Sequence, residues 1–539
     1  MINLSKRNRY LLSVFSGLLM VISYPFAGGL TPLVFVSWLP LLFVESYISK
    51  KNYRSSKVFV HAYLSFLIYN LGTTWWVWNA DEIGASLAFI LNSLLMAITF
   101  YFFHLAKKHI GEKEGYISLL FFWIGFEYLH FNWEMSWTWL TLGNTFSIVP
   151  SWVQWYSSVG VLGGSLWILI INLLFFRTIQ NVYLKKESWR IQTPLVWSGL
   201  FLIALPIAIS LYSYYSYEEE SNSIEVVAIQ PNIDPYNEKF DRSSFKSQLE
   251  TLTRLARIKT TENSALIVAP ETSISSNFNE LDVQQYDFFK YLVKEKTENL
   301  NNTPWYIGAS TYKLFSEKES RASRKRTDGN FEEFYNSSML ITADNDAEFV
   351  HKSKLVPGVE VLPFSDIFPF LEEMSIDNGG ISGTLGIEKH PKVFDIDNIT
   401  FAPVICYESI YGEWVAEQCR KGAQLICIAT NDGWWGDTPG YKQHLSFASL
   451  RAIENRRSIV RSANTGISCF VNQRGDIKQA TKWWKEDVIR GEVNLNSKLT
   501  FYTIYGDVLG RSFSFAAILV LLFTFVKRFR KKRKLIEGS

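Results

Sequence analysis

Three places in the second half of the chain set a reactive side chain just past an apolar run. "VAPETS" delivers Glu271, "FVHKSKLVP" presents Lys352 and Lys354, and "PVICYES" carries Cys406. A carboxylate, an ammonium and a thiol are the parts of a nucleophilic set. A free thiol has a pKa of about 8.5, so only a few per cent is thiolate at neutral pH and a base must take its proton. Glu271 would serve if burial raised its carboxyl toward neutrality. An ammonium would stabilise both the thiolate and the oxyanion that forms when a carbonyl is attacked. A helix starting in "ESIYGEW" would add its positive end to that stabilisation. Two other readings of Cys406 stand beside this one. It is a small hydrophobe in a core strand, or it pairs with Cys419, Cys427 or Cys469 in a disulfide. Cys427 and Cys469, inside apolar runs, read as core residues, and Cys419, near Lys421, as structural or partly exposed.

The segments around these residues alternate short β-rich runs with helical stretches. "IEVVAIQPN", "ALIVAPETS", "WYIGAST", "NSSMLIT", "ITFAPVICYE", "AQLICIATN", "RSIVRSAN", "ISCFVNQ" and "VIRGEVNL" read as strands. Several are continuously apolar, which fits sheets covered by helices better than a sheet with one wet face. An α/β domain of packed layers follows for residues 216–502. That region carries 32 Lys and Arg against 41 Asp and Glu, a net −9, which is no nucleic-acid footprint.

The rest of the chain is different: 22 cationic residues against 10 acidic, and long apolar runs. A bilayer crossing takes about 20 mostly apolar residues. Seven such runs, at 10–26, 31–48, 58–79, 85–105, 116–140, 151–176 and 193–212, precede the α/β region, and an eighth lies at 510–526. Cations gather at the N-terminus, around Lys50 to Lys57, around Lys107 to Lys113, between Arg177 and Arg190, and in the tail "KRFRKKRK". The alternate short loops, "AGGL", "ADEIG" and "GNTFSIVP", have none. The positive-inside rule then puts both termini in the cytoplasm and residues 216–502 on the opposite side. Trp75, Trp76, Trp78, Trp133, Trp137, Trp139, Trp152 and Trp155 cluster at the expected outer ends, as an interfacial belt or as helix packing. Glu127 falls deep in the fifth run, where an ionisable group is a functional candidate by default.

Glu271 in "APET", Lys352 in "KSKLVP" and Cys406 in "ICYE" stand in the order and context of the Glu-Lys-Cys triad of the nitrilase, or carbon-nitrogen hydrolase, superfamily. Eight spans with such a domain inserted between the seventh and eighth resemble the bacterial apolipoprotein N-acyltransferase family. "QPNID", "NDGWWGD", "QHL" with His444, and "RSANTGIS" extend the resemblance over nearly the whole chain. It implies a polytopic membrane domain (1–215), an extracytoplasmic nitrilase-like αββα sandwich (216–502), and an eighth span with a basic tail (503–539). It makes Glu271 the general base, Lys352 the oxyanion stabiliser and Cys406 the nucleophile. Lys352 is preferred to Lys354 because the family lysine stands three positions before the leucine of "LVP". Glu360 matches a carboxylate that supports the lysine, Tyr407 and Glu408 the pair after the nucleophile, and Trp434 an aromatic near the acyl site. The chain reads "LVPGVE" where the family usually reads Leu-Val-Pro-Phe-Gly-Glu, and a family tryptophan is replaced around Phe240.

The implied reaction moves an acyl chain from a phospholipid through a cysteine thioester to the α-amine of a diacylglyceryl-modified N-terminal cysteine of an apolipoprotein. The implied setting is the bacterial inner membrane, with a periplasmic catalytic domain, a monomeric chain and no metal or other cofactor. A membrane-tethered amidase that passes its acyl group to water shares the triad, and a transporter or receptor with a binding domain is a third reading. The segment "PGVEVLPFSDIFPFLEEM", with Phe364, Phe368 and Phe370, is read either as a membrane-dipping loop or as a helix packed on the domain.

Overall fold

The computed structural model describes residues 4–365 and 383–537. Phe368 and Phe370, and with them the second half of the expected membrane-dipping loop, lie outside the described residues. The chain divides into two compact units, Met1–Tyr215 with Asp507–Ser539, and Ser216–Gly506.

The first unit is helical. Among the described residues, five segments are long and apolar enough to cross a bilayer: Thr31–Lys50, Glu82–His109, Tyr156–Tyr183, Trp189–Ser216 and Val508–Lys531. The apolar windows of the last two are only 11% buried, an exposure that a helix in water could not sustain and one in lipid requires. The runs read at 10–26, 58–79 and 116–140 fall on the helices Lys6–Ser23, Ser56–Thr74 and Glu112–Phe131. The last of these stops well short of the expected residue 140. Residues 138–152 are instead short 3-10 turns. Glu127, 3% exposed, accepts from Trp123 Nε1 and from the Leu142 N–H, both at 2.9 Å, and so fastens that irregular segment to its helix. The tryptophans split between the two readings. Trp75 and Trp78 are about half exposed, whereas Trp76 and Trp139 are buried with ring centroids 4.8 Å apart.

The second unit contains fourteen strands among the described residues: β1 Ser223–Gln230, β2 Ser264–Val268, β3 Ile274–Asn279, β4 Trp305–Phe315, β5 Arg324–Lys325, β6 Phe331–Ile341, β7 Ala347–His351, β8 Phe394–Ile396, β9 Ile399–Ile405, β10 Leu425–Thr430, β11 Ser458–Ala463, β12 Cys469–Val471, β13 Ile477–Lys478 and β14 Asp487–Asn494. One sheet runs β14-β1-β2-β4-β6-β5, with β3 paired to β4 and β7 to β6. The other runs β13-β12-β11-β10-β9-β8. β1, β2 and β4 are parallel neighbours, as are β9, β10 and β11.

Alternation along β1 shows why its sequence has no polar face. Val226 and Ala228 point between the sheets, against Phe401, Leu425 and Val460. Val227 and Ile229 point outward beneath the helices Phe245–Lys259 and Asp287–Asn299, whose Leu252 and Leu292 are fully buried. β10 repeats the pattern, with Cys427 inside and Ile426 and Ile428 under the helices Gly412–Arg420 and Pro439–Asn455. The order of layers is helix, sheet, sheet, helix, and the central strands are dry on both faces. Trimming one of these contacts leaves a hole that the layers cannot close. Leu292→Ala is expected to cost about 2–5 kcal/mol, read as a lower thermal midpoint of the full chain in detergent. An unchanged midpoint would contradict this packing.

Candidate active site

Glu271, Lys352 and Cys406 each follow the C-terminal end of a strand, β2, β7 and β9 respectively. Glu271 is 5% exposed and Lys352 1%. Lys352 Nζ donates to Glu271 Oε1 at 3.0 Å and to Glu360 Oε1 at 2.8 Å. The two carboxylates are also joined from β6, where Asn336 Nδ2 donates to Glu271 Oε1 at 2.8 Å and to Glu360 Oε1 at 2.9 Å. Lys352 sits opposite Asn336 because its own N–H donates to the Asn336 carbonyl at 2.8 Å, continuing the β6–β7 ladder by one residue.

The "LVPGVE" departure does not keep Glu360 away. Gly358 takes the left-handed φ of +88° that lets the loop turn, and Glu360 Oε2 accepts the Val356 N–H at 2.9 Å. Lys354 lies elsewhere, its ammonium over the rings of Tyr411 and Trp414. Lysine has three N–H donors, and Lys352 spends two on carboxylates.

Cys406 is free, as are Cys419, Cys427 and Cys469, and all four are buried, Cys419 included. This removes the disulfide reading. Cys406 has φ +49°, left-handed and uncommon for a residue with a Cβ. Strain of this kind persists only where neighbours over-determine it. Here Glu408 Oε2 accepts the Ile405 N–H at 2.9 Å, Ser409 Oγ donates to the Cys406 carbonyl at 2.7 Å, and His444 Nε2 lies 3.2 Å from the same oxygen. His444 is held from behind by Asp432, Nδ1 to Oδ1 2.9 Å, and Asp432 by Arg461 at 2.6 Å. Glu408 also reaches across with Oε1, accepting the Ser353 N–H at 2.7 Å. One carboxyl thus ties the Cys406 turn to the loop that follows Lys352.

Cys406 itself opens a five-residue 3-10 turn, Cys406–Ile410, too short for a useful dipole, and the helix expected to start in "ESIYGEW" begins at Gly412 and runs to Arg420. Tyr407 packs edge-on against Tyr411, 5.4 Å between centroids. Trp434, after β10, is stacked on Phe240 at 6.4 Å and edge-on to Tyr236 at 5.1 Å. Phe240 therefore occupies an aromatic layer with Trp434 where the family tryptophan was missed.

The charges correct one expectation. Burial does push the Glu271 carboxyl up, but Lys352, its hydrogen bond, Asn336 and a second ammonium, Lys239, more than offset it and hold Glu271 below the usual carboxylate range. Burial, with the Glu271 charge added, raises the Cys406 thiol well above its ordinary value. Lys352 is raised by Glu271, Glu360 and Cys406 against the opposing effect of burial. Burial takes Glu408 up to about 7. At rest the set is a thiol, a carboxylate and an ammonium. Asn336 and Lys239 were not singled out in the sequence. Asn336 reads as a polar interruption of an apolar strand, and Lys239 as one more charge in a loop.

Known proteins resemble this chain over most of its length. Residues 225–498 match a family described as carbon-nitrogen hydrolase, and residues 16–174 one described as apolipoprotein N-acyltransferase N-terminal domain. An apolipoprotein N-acyltransferase from Chlorobaculum tepidum is 32% identical over 96% of this chain and 97% of its own. One from Geobacter metallireducens is 27% identical over 98% and 96%. A third, from Treponema denticola, is 24% identical over 97% of both. Matched from end to end by such relatives, the chain belongs to the apolipoprotein N-acyltransferase family.

Proposed function

We propose that the chain acylates lipoproteins at their N-terminal amine, in the last step of their maturation, with a membrane phospholipid as acyl donor and Cys406 as carrier. The observation that carries this reading is an unpaired, strained cysteine in a domain that also brings Glu271 and Lys352 together, within a chain of this family. In the first half-reaction Cys406 Sγ attacks the ester carbonyl while its proton passes to Glu271. The third N–H of Lys352 is available to the oxyanion. The lysophospholipid oxygen leaves with the proton from Glu271, and the acyl chain stays as a thioester. In the second half, the amine of a diacylglyceryl cysteine attacks that thioester, Glu271 takes a proton from nitrogen, and the sulfur leaves and is reprotonated. A thioester is activated enough to give an amide without ATP.

Magnitude favours a membrane enzyme. Lifting a chain of about fifteen methylenes into water costs roughly 12 kcal/mol at about 0.8 kcal/mol each, some nine powers of ten in population. The first unit is accordingly read as eight spans of the bacterial inner membrane, the second as a periplasmic catalytic domain, and both termini as cytoplasmic, on the charge pattern of the loops. The chain is read as working as a monomer. Glu360 is read as supporting Lys352, Glu408 as holding the turn, and Tyr407 and Trp434 as substrate contacts.

Purified protein incubated with labelled phospholipid and a diacylglyceryl peptide is expected to give triacylated peptide, and Cys406→Ala none. Labelled fatty acid alone would favour the tethered hydrolase, neither product from the wild type a binding protein, and full activity of Cys406→Ala would overturn Cys406 as the carrier. The geometry also predicts how little room the base has. A Cβ on Gly308 of β4 would come within 2.5 Å of Glu271 Cα and 2.6 Å of both the Pro270 carbonyl oxygen and the Thr272 nitrogen, all backbone. Gly308→Ala must therefore shift the turn that carries Glu271. Turnover is expected to fall about 100-fold, the usual result of a displacement near 1 Å. Unaltered turnover would contradict the assignment of Glu271 as the base.

A further inference from the structure

Lys239 is 1% exposed. Its ammonium donates to the backbone carbonyl of Glu271 at 2.7 Å. Its own loop is fixed, since Gln248 Nε2 donates to the carbonyls of Glu238 and Lys239 at 3.0 and 3.2 Å, and the Lys239 N–H donates to the Asp234 carbonyl. Next to it, Phe240 is stacked on Trp434. The ammonium is thus placed deliberately, yet a single carbonyl could be satisfied by a neutral donor. An ammonium is among the costliest groups to bury and needs compensating charge. The charge itself therefore has a use. Two carboxylates, Glu271 and Glu360, share the one ammonium of Lys352. Left so, the cluster is net negative beside the thiol, and every step that builds negative charge on sulfur is opposed.

We propose that Lys239 is the second cation of the site, a positioning residue that holds the Glu271 turn and neutralises the excess carboxylate charge while the thiol proton moves to Glu271. The titratable groups that act on it are Glu271 and Cys406, and through them Lys352, Glu360 and Asp432. Burial pulls Lys239 down to about 8, with Glu271 and Cys406 opposing the fall. Its charge is present below that pH and is lost as the pH rises through it. The inference rests on the acyl-carrying role proposed for Cys406.

The test is the rate of acyl-enzyme formation by the full chain in detergent, with phospholipid and no acceptor, read by intact mass from pH 6 to 9.5. Wild type is expected to slow as the pH rises through about 8. Lys239→Met should be slower at pH 7 by roughly 10- to 1,000-fold, the range that one nearby opposite charge commands over a buried ionisation, and should lack the alkaline decline. Lys239→Arg, whose charge does not titrate in this range, should recover most of the rate and extend it to higher pH. A Lys239→Met profile that coincides with wild type overturns the proposal. If that variant does not fold, a wild-type rate that stays level or rises through pH 9.5 overturns it instead. Absence of any adduct on wild-type Cys406 is the separate result that would remove the carrier role itself.

Discussion

The ammonium of Lys352 is buried to 1% exposure, and it is tolerable there only because Glu271 and Glu360 lie within 3.0 Å of it. Removing one partner from a buried ion pair leaves an uncompensated charge, a penalty of about 3–5 kcal/mol, so these groups keep one another in place. The same contacts fix the chemistry. They hold Glu271 ionised in a dry site where burial alone would protonate it, and an ionised carboxylate is what a protonated thiol needs beside it.

The rest of the second unit positions that cluster. Two sheets fix β2, β6, β7 and β9, and the four groups sit on or just past those strands. Hydrogen bonds then cross between loops at backbone level. Glu408 spans from the cysteine turn to Ser353, and Asn336 spans both carboxylates. His444 reaches the carbonyl of the strained Cys406 and is itself held by Asp432, which Arg461 pairs with. Such a constellation moves as a unit or not at all, which is how a site on loops keeps the tolerance that acyl transfer demands.

Much of this was legible in the residues. Nine expected strands are present, because continuous apolar runs have one physical use in a covered sheet. β3, β5, β7, β8 and β13 were not read as strands, being short or polar, and β4 and β6 run several residues beyond their apolar cores into a charged hairpin. Glu271, Lys352 and Cys406 stood out because their order and local context resemble those of a known family. Asn336 and Lys239 did not, since a residue that acts by bridging partners 65 or 32 positions away leaves no local pattern. The sign of the Glu271 shift was also beyond reach. Burial and pairing oppose each other, and their balance depends on distances that only the fold sets. The break after Phe131 was missed for a related reason, as hydropathy does not record the Glu127 contact that lets the backbone turn there.

The central claim is that one sulfur holds the acyl chain between two lipids. A pulse and chase tests it most directly: the protein is loaded with radiolabelled acyl chain from phospholipid, freed of donor, and then given a diacylglyceryl peptide. The account predicts label first on the peptide fragment containing Cys406, then quantitative passage to the peptide amine at least as fast as steady turnover. Label that never reaches Cys406, or that stays there while turnover with fresh donor proceeds, would contradict it.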